Sequence, residues 1–161
     1  MQILLPVAEK VGEALKRRGE TVAVAESSSG GLIAASLLSV PGASAYFIGG
    51  TVFYTRKSLK ELLALSDDQF AQMRGLTEST ATLLANAIRA RLSTTWAVAE
   101  IGASGPTGSR YGDPAGTSCI AVVGPQNGAR AVKTNQSDRA ANMQLFAQSA
   151  LDLLAQLVLQ P

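Results

Sequence analysis

Thr21-Val22-Ala23-Val24-Ala25-Glu26-Ser27-Ser28-Ser29-Gly30-Gly31-Leu32-Ile33-Ala34-Ala35-Ser36-Leu37-Leu38 is the stretch that decides the fold. Its β-branched start predicts a strand over 21–25, and its small apolar end predicts a helix over 29–39. Hydroxyls and glycines fill the junction between them. Free backbone N–H groups at a helix start favour anions, and glycine lets a ligand approach the backbone closely. Serine is also a preferred N-cap residue, so the same turn reads equally as a well-capped helix. Either way the chain passes from strand to helix as α/β chains do.

The flanks extend the pattern. Leu4, Val7, Val11 and Leu15 share one helical face within 3–18, and Gly19 closes that helix. Residues 45–54, β-branched and aromatic, read as a strand with a bulge or close backbone approach at Gly49-Gly50. Helices are expected over 57–65 and over 78–92, the latter capped by Thr77. Trp96 to Ile101 is a strand ending in the loop Gly102-Ala103-Ser104-Gly105-Pro106-Thr107-Gly108. A strand is read over 117–123, Asn127-Gly128 signals a hairpin pairing 118–124 with 129–134, and a helix over 139–159 follows Ser137-Asp138. Alternation early and a hairpin late predict a three-layer α/β/α sandwich with a mixed central sheet, one domain over 1–161.

Composition narrows the chemistry. A 47% hydrophobic, 16% charged chain can bury a proper core. A net charge of +2, with no basic run longer than Lys16-Arg17-Arg18, argues against nucleic-acid binding. No stretch approaches a membrane span and no leader is evident, so a cytoplasmic location is expected. The chain has no histidine and one cysteine, Cys119, in an apolar run. That excludes a His-containing triad, the usual zinc sites and an internal disulfide. Any nucleophile must be activated by lysine, tyrosine, a carboxylate or the backbone field.

Ligands of open α/β sheets bind at the carboxyl ends of strands. The loops 26–31 and 102–108, with the bend at Gly49-Gly50, are the candidates here. Their backbone amides and hydroxyls suit a phosphate or a neutral polar ligand.

Several motifs then occur in order: Ala25-Glu26-Ser27-Ser28-Ser29-Gly30-Gly31; Pro41-Gly42-Ala43-Ser44-Ala45-Tyr46-Phe47; and Gly50-Thr51-Val52-Phe53-Tyr54. Gly102-Ala103-Ser104-Gly105-Pro106-Thr107-Gly108, Pro114-Ala115-Gly116-Thr117 and Ser137-Asp138-Arg139 complete the series. Together they resemble the CinA C-terminal domain family (competence-damage-inducible proteins), whose stand-alone PncC-type members are nicotinamide mononucleotide amidohydrolases. The resemblance implies hydrolysis of the carboxamide of nicotinamide mononucleotide to nicotinate mononucleotide and ammonia, in pyridine nucleotide recycling. It implies no cofactor and no metal, a small-molecule pyridine nucleotide as partner, and a homo-oligomer. The family's catalytic serine and tyrosine match Ser44 and Tyr54. Glu26, Ser27, Ser28, Ser29, Gly30, Gly31, Gly50, Gly105, Thr107 and Gly108 are the expected substrate-binding residues.

The third family residue, a lysine five positions after the tyrosine, is Leu59 here. Leu59, Leu62 and Leu63 form an inward stripe, and Lys60 lies about 100° further round the helix. No lysine is therefore expected in the pocket. Arg56, which stays protonated, would not replace it as a base. The loop 109–113, Ser-Arg-Tyr-Gly-Asp, also departs from the family pattern. Weak amidase activity, a catalytically inactive nucleotide-binding homologue and an amidase with a changed carboxamide substrate all follow from these departures.

Overall fold

Small residues on one sheet face and large ones on the other set the architecture. The computed structural model of the chain describes residues 2–160. Its strands are β1 (Val22–Glu26), β2 (Phe47–Val52), β3 (Trp96–Ala103), β4 (Thr117–Val123) and β5 (Gly128–Lys133). The helices are α1 (Leu5–Arg18), α2 (Leu32–Leu38), α3 (Arg56–Leu63), α4 (Asp67–Gln72), α5 (Glu78–Leu92) and α6 (Arg139–Val158). The sheet order is β2-β1-β3-β4-β5, with β1 parallel to β2 and β3, and β4 antiparallel to β3 and β5.

Val22, Val24, Trp96, Val98, Ile120 and Val122 point to one face, where α1, α2 and α6 cover them. Ala23, Ala25, Ala97, Ala99 and Ala121 point to the other, where α3 and α5 pack. Side chains alternate across a strand, so each strand serves both layers. Methyl groups on the second face let the α5 backbone approach the sheet closely. The mixed three-layer sandwich expected from the sequence is the observed fold.

Three boundaries differ from the expectations for local reasons. The predicted helix over 29–39 begins only at Leu32, because Gly30 (φ 68°) and Gly31 (φ 99°) hold the preceding turn in the left-handed region. The predicted strand over 45–54 shortens to β2, and Ala43–Ala45 winds into a single 3-10 turn instead. The register of β1 against β2 slips between Val22 and Ala23, which face Phe47 and Gly49, so the bulge sits at Ile48. A side chain at Gly50 would place its Cβ 2.9 Å from the Val24 carbonyl, which explains that glycine by strand contact. α4 went unpredicted, although Ser66 and Gln69 form the reciprocal capping pair that announces it.

The parallel strands β1, β2 and β3 all end on the same edge of the sheet, and the loops after them meet there. Asn142, fully buried on α6, secures that edge: its Nδ2 donates to the carbonyls of Ser104 (2.8 Å) and Gln136 (3.0 Å). Its Oδ1 accepts from Thr134 Oγ1 at 2.6 Å. Among the described residues no helix is long and apolar enough to cross a membrane.

Candidate functional site

Pairing Ala25 with Ala99 puts the next residues of β1 and β3, Glu26 and Glu100, side by side on the large-residue face. Both are fully buried. The hydroxyl turn exists largely to satisfy them. Glu26 accepts from the backbone N–H of Gly31 (3.0 Å), Ile33 (3.0 Å) and Ala34 (2.8 Å), which are the orphan donors at the start of α2. Glu100 accepts from the N–H of Ser29 at 2.8 Å and of Ser27 at 3.2 Å, and from the hydroxyls of Ser28 and Ser118.

Ser29 Oγ lies 2.8 Å from an oxygen of each carboxyl group. A hydroxyl has one proton and can donate to only one of them. The two carboxyl oxygens therefore compete for that proton, and each also accepts backbone N–H groups, Glu26 from Gly31 and Ile33 and Glu100 from Ser27 and Ser29. Burial pushes the Glu26 carboxyl above the usual carboxylate range, the backbone donors oppose this, and the charge of Glu100 adds to the rise.

The anion at the start of α2 is therefore the chain's own Glu26, and this corrects the ligand-cradle reading of the turn. Glu26, Ser28 and Ser29 are committed to the buried carboxyl pair, Gly31 supplies one of its donors, and Gly30 packs under Met143. None of them, nor Gly50, lines the cavity at the strand ends; Ser27 does.

That cavity, about 250 Å³, lies between the end of β2, the start of α3 and the loops following β3. Phe53, Leu59, Met73, Leu76 and Ile101 make an apolar wall. Ser27, Tyr54, Gly105, Thr107 and Gly108 of the expected binding and catalytic set line it as well. Its charged lining consists of three arginines, Arg56, Arg110 and Arg139; no carboxylate and no lysine is among the described lining residues. Arg139 Nη2 donates to Tyr54 Oη at 2.7 Å and its Nη1 to the Gly105 carbonyl at 2.6 Å, clamping the end of β2 to the loop after β3. Arg56 Nη1 donates to Tyr111 Oη at 3.0 Å, while its guanidinium lies 4.2 Å from the centre of the Phe70 ring.

Ser44 is not brought to this cavity. It sits in the 3-10 turn before β2, whereas Tyr54 follows the far end of that strand. The strand itself spans roughly 20 Å at the usual rise per residue, so one chain cannot hold both groups on one small substrate. The serines that share the cavity with Tyr54 are Ser27, Ser104 and Ser109, of which Ser27 belongs to the expected binding set.

On α3, Leu59 and Leu63 turn inward as expected, whereas Leu62 is 42% exposed, so the inward stripe is narrower than the spacing predicts. Leu59 is 4% exposed and forms part of the cavity wall and the underlying core. Lys60 turns away to pair with Asp67, which raises the Lys60 ammonium and lowers the Asp67 carboxyl. Sequence reasoning missed Glu100, whose signal was a lone carboxylate inside the apolar run Trp96–Ile101. It also missed Ser104, a 2% exposed cavity residue whose hydroxyl has no hydrogen-bond partner.

An α/β/α sandwich with a cationic cavity at the carboxyl ends of its parallel strands has the architecture of the open-sheet class, with its cavity where such sheets place their ligand crevices. Comparison with known proteins narrows this: the chain belongs to the CinA C-terminal domain family, which matches residues 4–158. It is similar to a CinA-like protein of Trichormus variabilis, 36% identical over 151 residues, covering 92% of this chain and 36% of that protein. A CinA-like protein of Myxococcus xanthus is 37% identical over 150 residues, again covering 92% of this chain and 36% of the relative. The chain thus spans little more than a third of the curated relatives it matches. Among solved structures, a competence-damaged protein (CinA) superfamily protein from Klebsiella pneumoniae aligns with TM-score 0.88 at 24% identity, over 96% of this chain and 97% of that one. A competence/damage inducible protein from Agrobacterium tumefaciens also aligns at TM-score 0.88 and 24% identity, over 98% and 96%. These structural likenesses confirm the fold.

Proposed function

We propose that the chain binds a pyridine mononucleotide in the cavity at the strand ends and hydrolyses its carboxamide slowly. One observation carries the reading: the cavity joins an apolar wall, a serine hydroxyl, a tyrosine hydroxyl and three arginines, yet has no lysine among its described lining residues. The apolar wall suits a flat pyridine ring and the arginines suit a phosphate. Amide hydrolysis needs a nucleophile, a group to take its proton and donors for the developing oxyanion. Within one chain the nucleophile is Ser27 rather than Ser44. Tyr54 is the donor to the carbonyl oxygen: its own oxygen already accepts from Arg139, which leaves its proton to point elsewhere. Attack by Ser27 on the carboxamide carbon expels ammonia, and water then releases the carboxylate product.

No positioned base takes the serine proton, and that loss typically lowers a rate by about 10²- to 10⁴-fold. The test is calorimetric titration with nicotinamide mononucleotide beside an assay of ammonia release. Binding with slow ammonia release supports the proposal. Turnover near that of a lysine-bearing family member refutes the slow step, and failure to bind refutes the nucleotide. Binding without any ammonia selects a second reading, a nucleotide-binding homologue that has lost catalysis, which Leu59 in the cavity wall also favours.

A further inference from the structure

We infer that Arg56 and Tyr111 form the subsite that reads the anionic end of the ligand, a phosphomonoester, at the mouth of the cavity. The inference deepens the mononucleotide reading and rests on it for the identity of the ligand's other end. Of the three cavity arginines, Arg139 already spends both terminal nitrogens on Gly105 and Tyr54. Arg56 is held differently. Its guanidinium stacks on Phe70 at 4.2 Å, and Nη1 donates to Tyr111 Oη. Stacking fixes the plane of the guanidinium, so its N–H edge is set before a ligand arrives. Tyr111 Oη is the acceptor in that bond, and its own proton remains to be donated to a ligand oxygen.

The segment carrying Tyr111 is itself fixed. Ser109 Oγ donates to Asp113 Oδ2 at 2.6 Å and accepts from the N–H of Tyr111 and Asp113. The Tyr111 ring rests against Gly75, where an added Cβ would lie 3.3 Å from it. Arg110, next in the chain, also lines the cavity, and no described lining carboxylate opposes these charges. The result is a preorganised set of donors with no described lining carboxylate among them, which matches the acceptor oxygens of a phosphate. It also explains why the 109–113 loop, which departs from the family pattern, approaches α3 at Arg56.

Calorimetry on the full chain tests this with three probes: nicotinamide mononucleotide, nicotinamide riboside (the same molecule without phosphate) and inorganic phosphate. Arg56→Gln should weaken the mononucleotide about 10- to 100-fold and leave the riboside within about twofold. Arg56→Lys, which keeps the charge without the planar fork, should fall between, and Tyr111→Phe should cost about 3- to 10-fold on the phosphate-bearing probes alone. Equal losses for mononucleotide and riboside, or a phosphate-specific loss on Arg139→Gln but not on Arg56→Gln, overturn the inference. Wild-type binding of the mononucleotide that is unchanged in Arg56→Gln overturns it while leaving the proposed function standing. Arg56-dependent binding of inorganic phosphate without mononucleotide binding does the reverse. No binding of any probe overturns both.

Discussion

Replacing Glu26 tests the account of the carboxyl pair, because alanine and glutamine should behave oppositely. Glu26→Ala removes the acceptor of three backbone N–H groups at the start of α2, Gly31, Ile33 and Ala34, in a position with no solvent exposure. An unsatisfied buried donor costs about 1–3 kcal/mol, and relief of repulsion with Glu100 returns part of the total. The net loss should be about 3 kcal/mol, which lowers the melting temperature of a chain this size by roughly 6–12 °C. Glutamine instead keeps most of these bonds without the charge: its carbonyl oxygen in the Oε2 position accepts from Gly31, Ile33 and Ser29, and only the Ala34 N–H loses its acceptor.

The pH dependence gives the sharper test. Burial and the neighbouring Glu100 raise the folded-state pKa of Glu26 above its ordinary value of 4.5. A folded group that holds its proton longer than the unfolded chain gives stability that is complete below pH 4.5 and lost as pH climbs through the raised value. Glu26→Gln cannot lose that proton. The melting temperature of the variant minus that of the wild type should therefore grow as pH rises from 4.5. The exposed Asp67, lowered by Lys60, titrates with the opposite sign but is common to both proteins and cancels in the difference. Melts followed by circular dichroism across the acidic to neutral range measure this. A difference that stays flat or falls with pH, or a glutamine variant as unstable as the alanine one, would refute the raised titration of Glu26.

Gly102→Ala should cost about 2–3 kcal/mol in chemical denaturation and abolish ligand binding, because its Cβ would stand 2.5 Å from Ser28 Oγ and 2.9 Å from the Thr117 carbonyl. Full stability would show that the carboxyl cluster is loosely packed. Cys119, buried and donating to the Leu76 carbonyl, has its thiol pushed up to about 11 by burial, with nearby carboxylates adding to the rise. It should resist a thiol reagent at pH 8 and react at once in denaturant; fast native labelling would contradict that burial. Leu59→Lys should raise ammonia release by at least tenfold, at a stability cost of about 1–3 kcal/mol, as the ammonium extends into the cavity past the apolar wall. Unchanged turnover in a folded variant would mean that the missing lysine is not what limits the rate.

Much of the fold was legible because its signals are local. The alternation in Val22-Ala23-Val24-Ala25 and Trp96-Ala97-Val98-Ala99, the hairpin at Asn127-Gly128 and the inward pair Leu59 and Leu63 of α3 are each set within a few residues, while the expected Leu62 turned outward. The position of Leu59 on the inward face of α3 likewise directs Lys60 away from the cavity, toward Asp67. Ser44 shows the limit. Motif order assigned it to the site, but strand direction carries it to the opposite end of β2 from Tyr54.

The turn at Ser27–Gly31 shows the same division most clearly. Its own residues determine a strand-to-helix junction rich in donors, because hydroxyls and glycines satisfy no other backbone path so well. They do not determine what those donors hold. That depends on Glu100, more than seventy residues away, reaching Ser29 only once β3 pairs with β1 in a register that matches Ala25 to Ala99. Strand pairing fixes which carboxylates meet. The tertiary structure thereby turned an apparent anion site into a buried support, and left the arginine-lined cavity beside it as the open one.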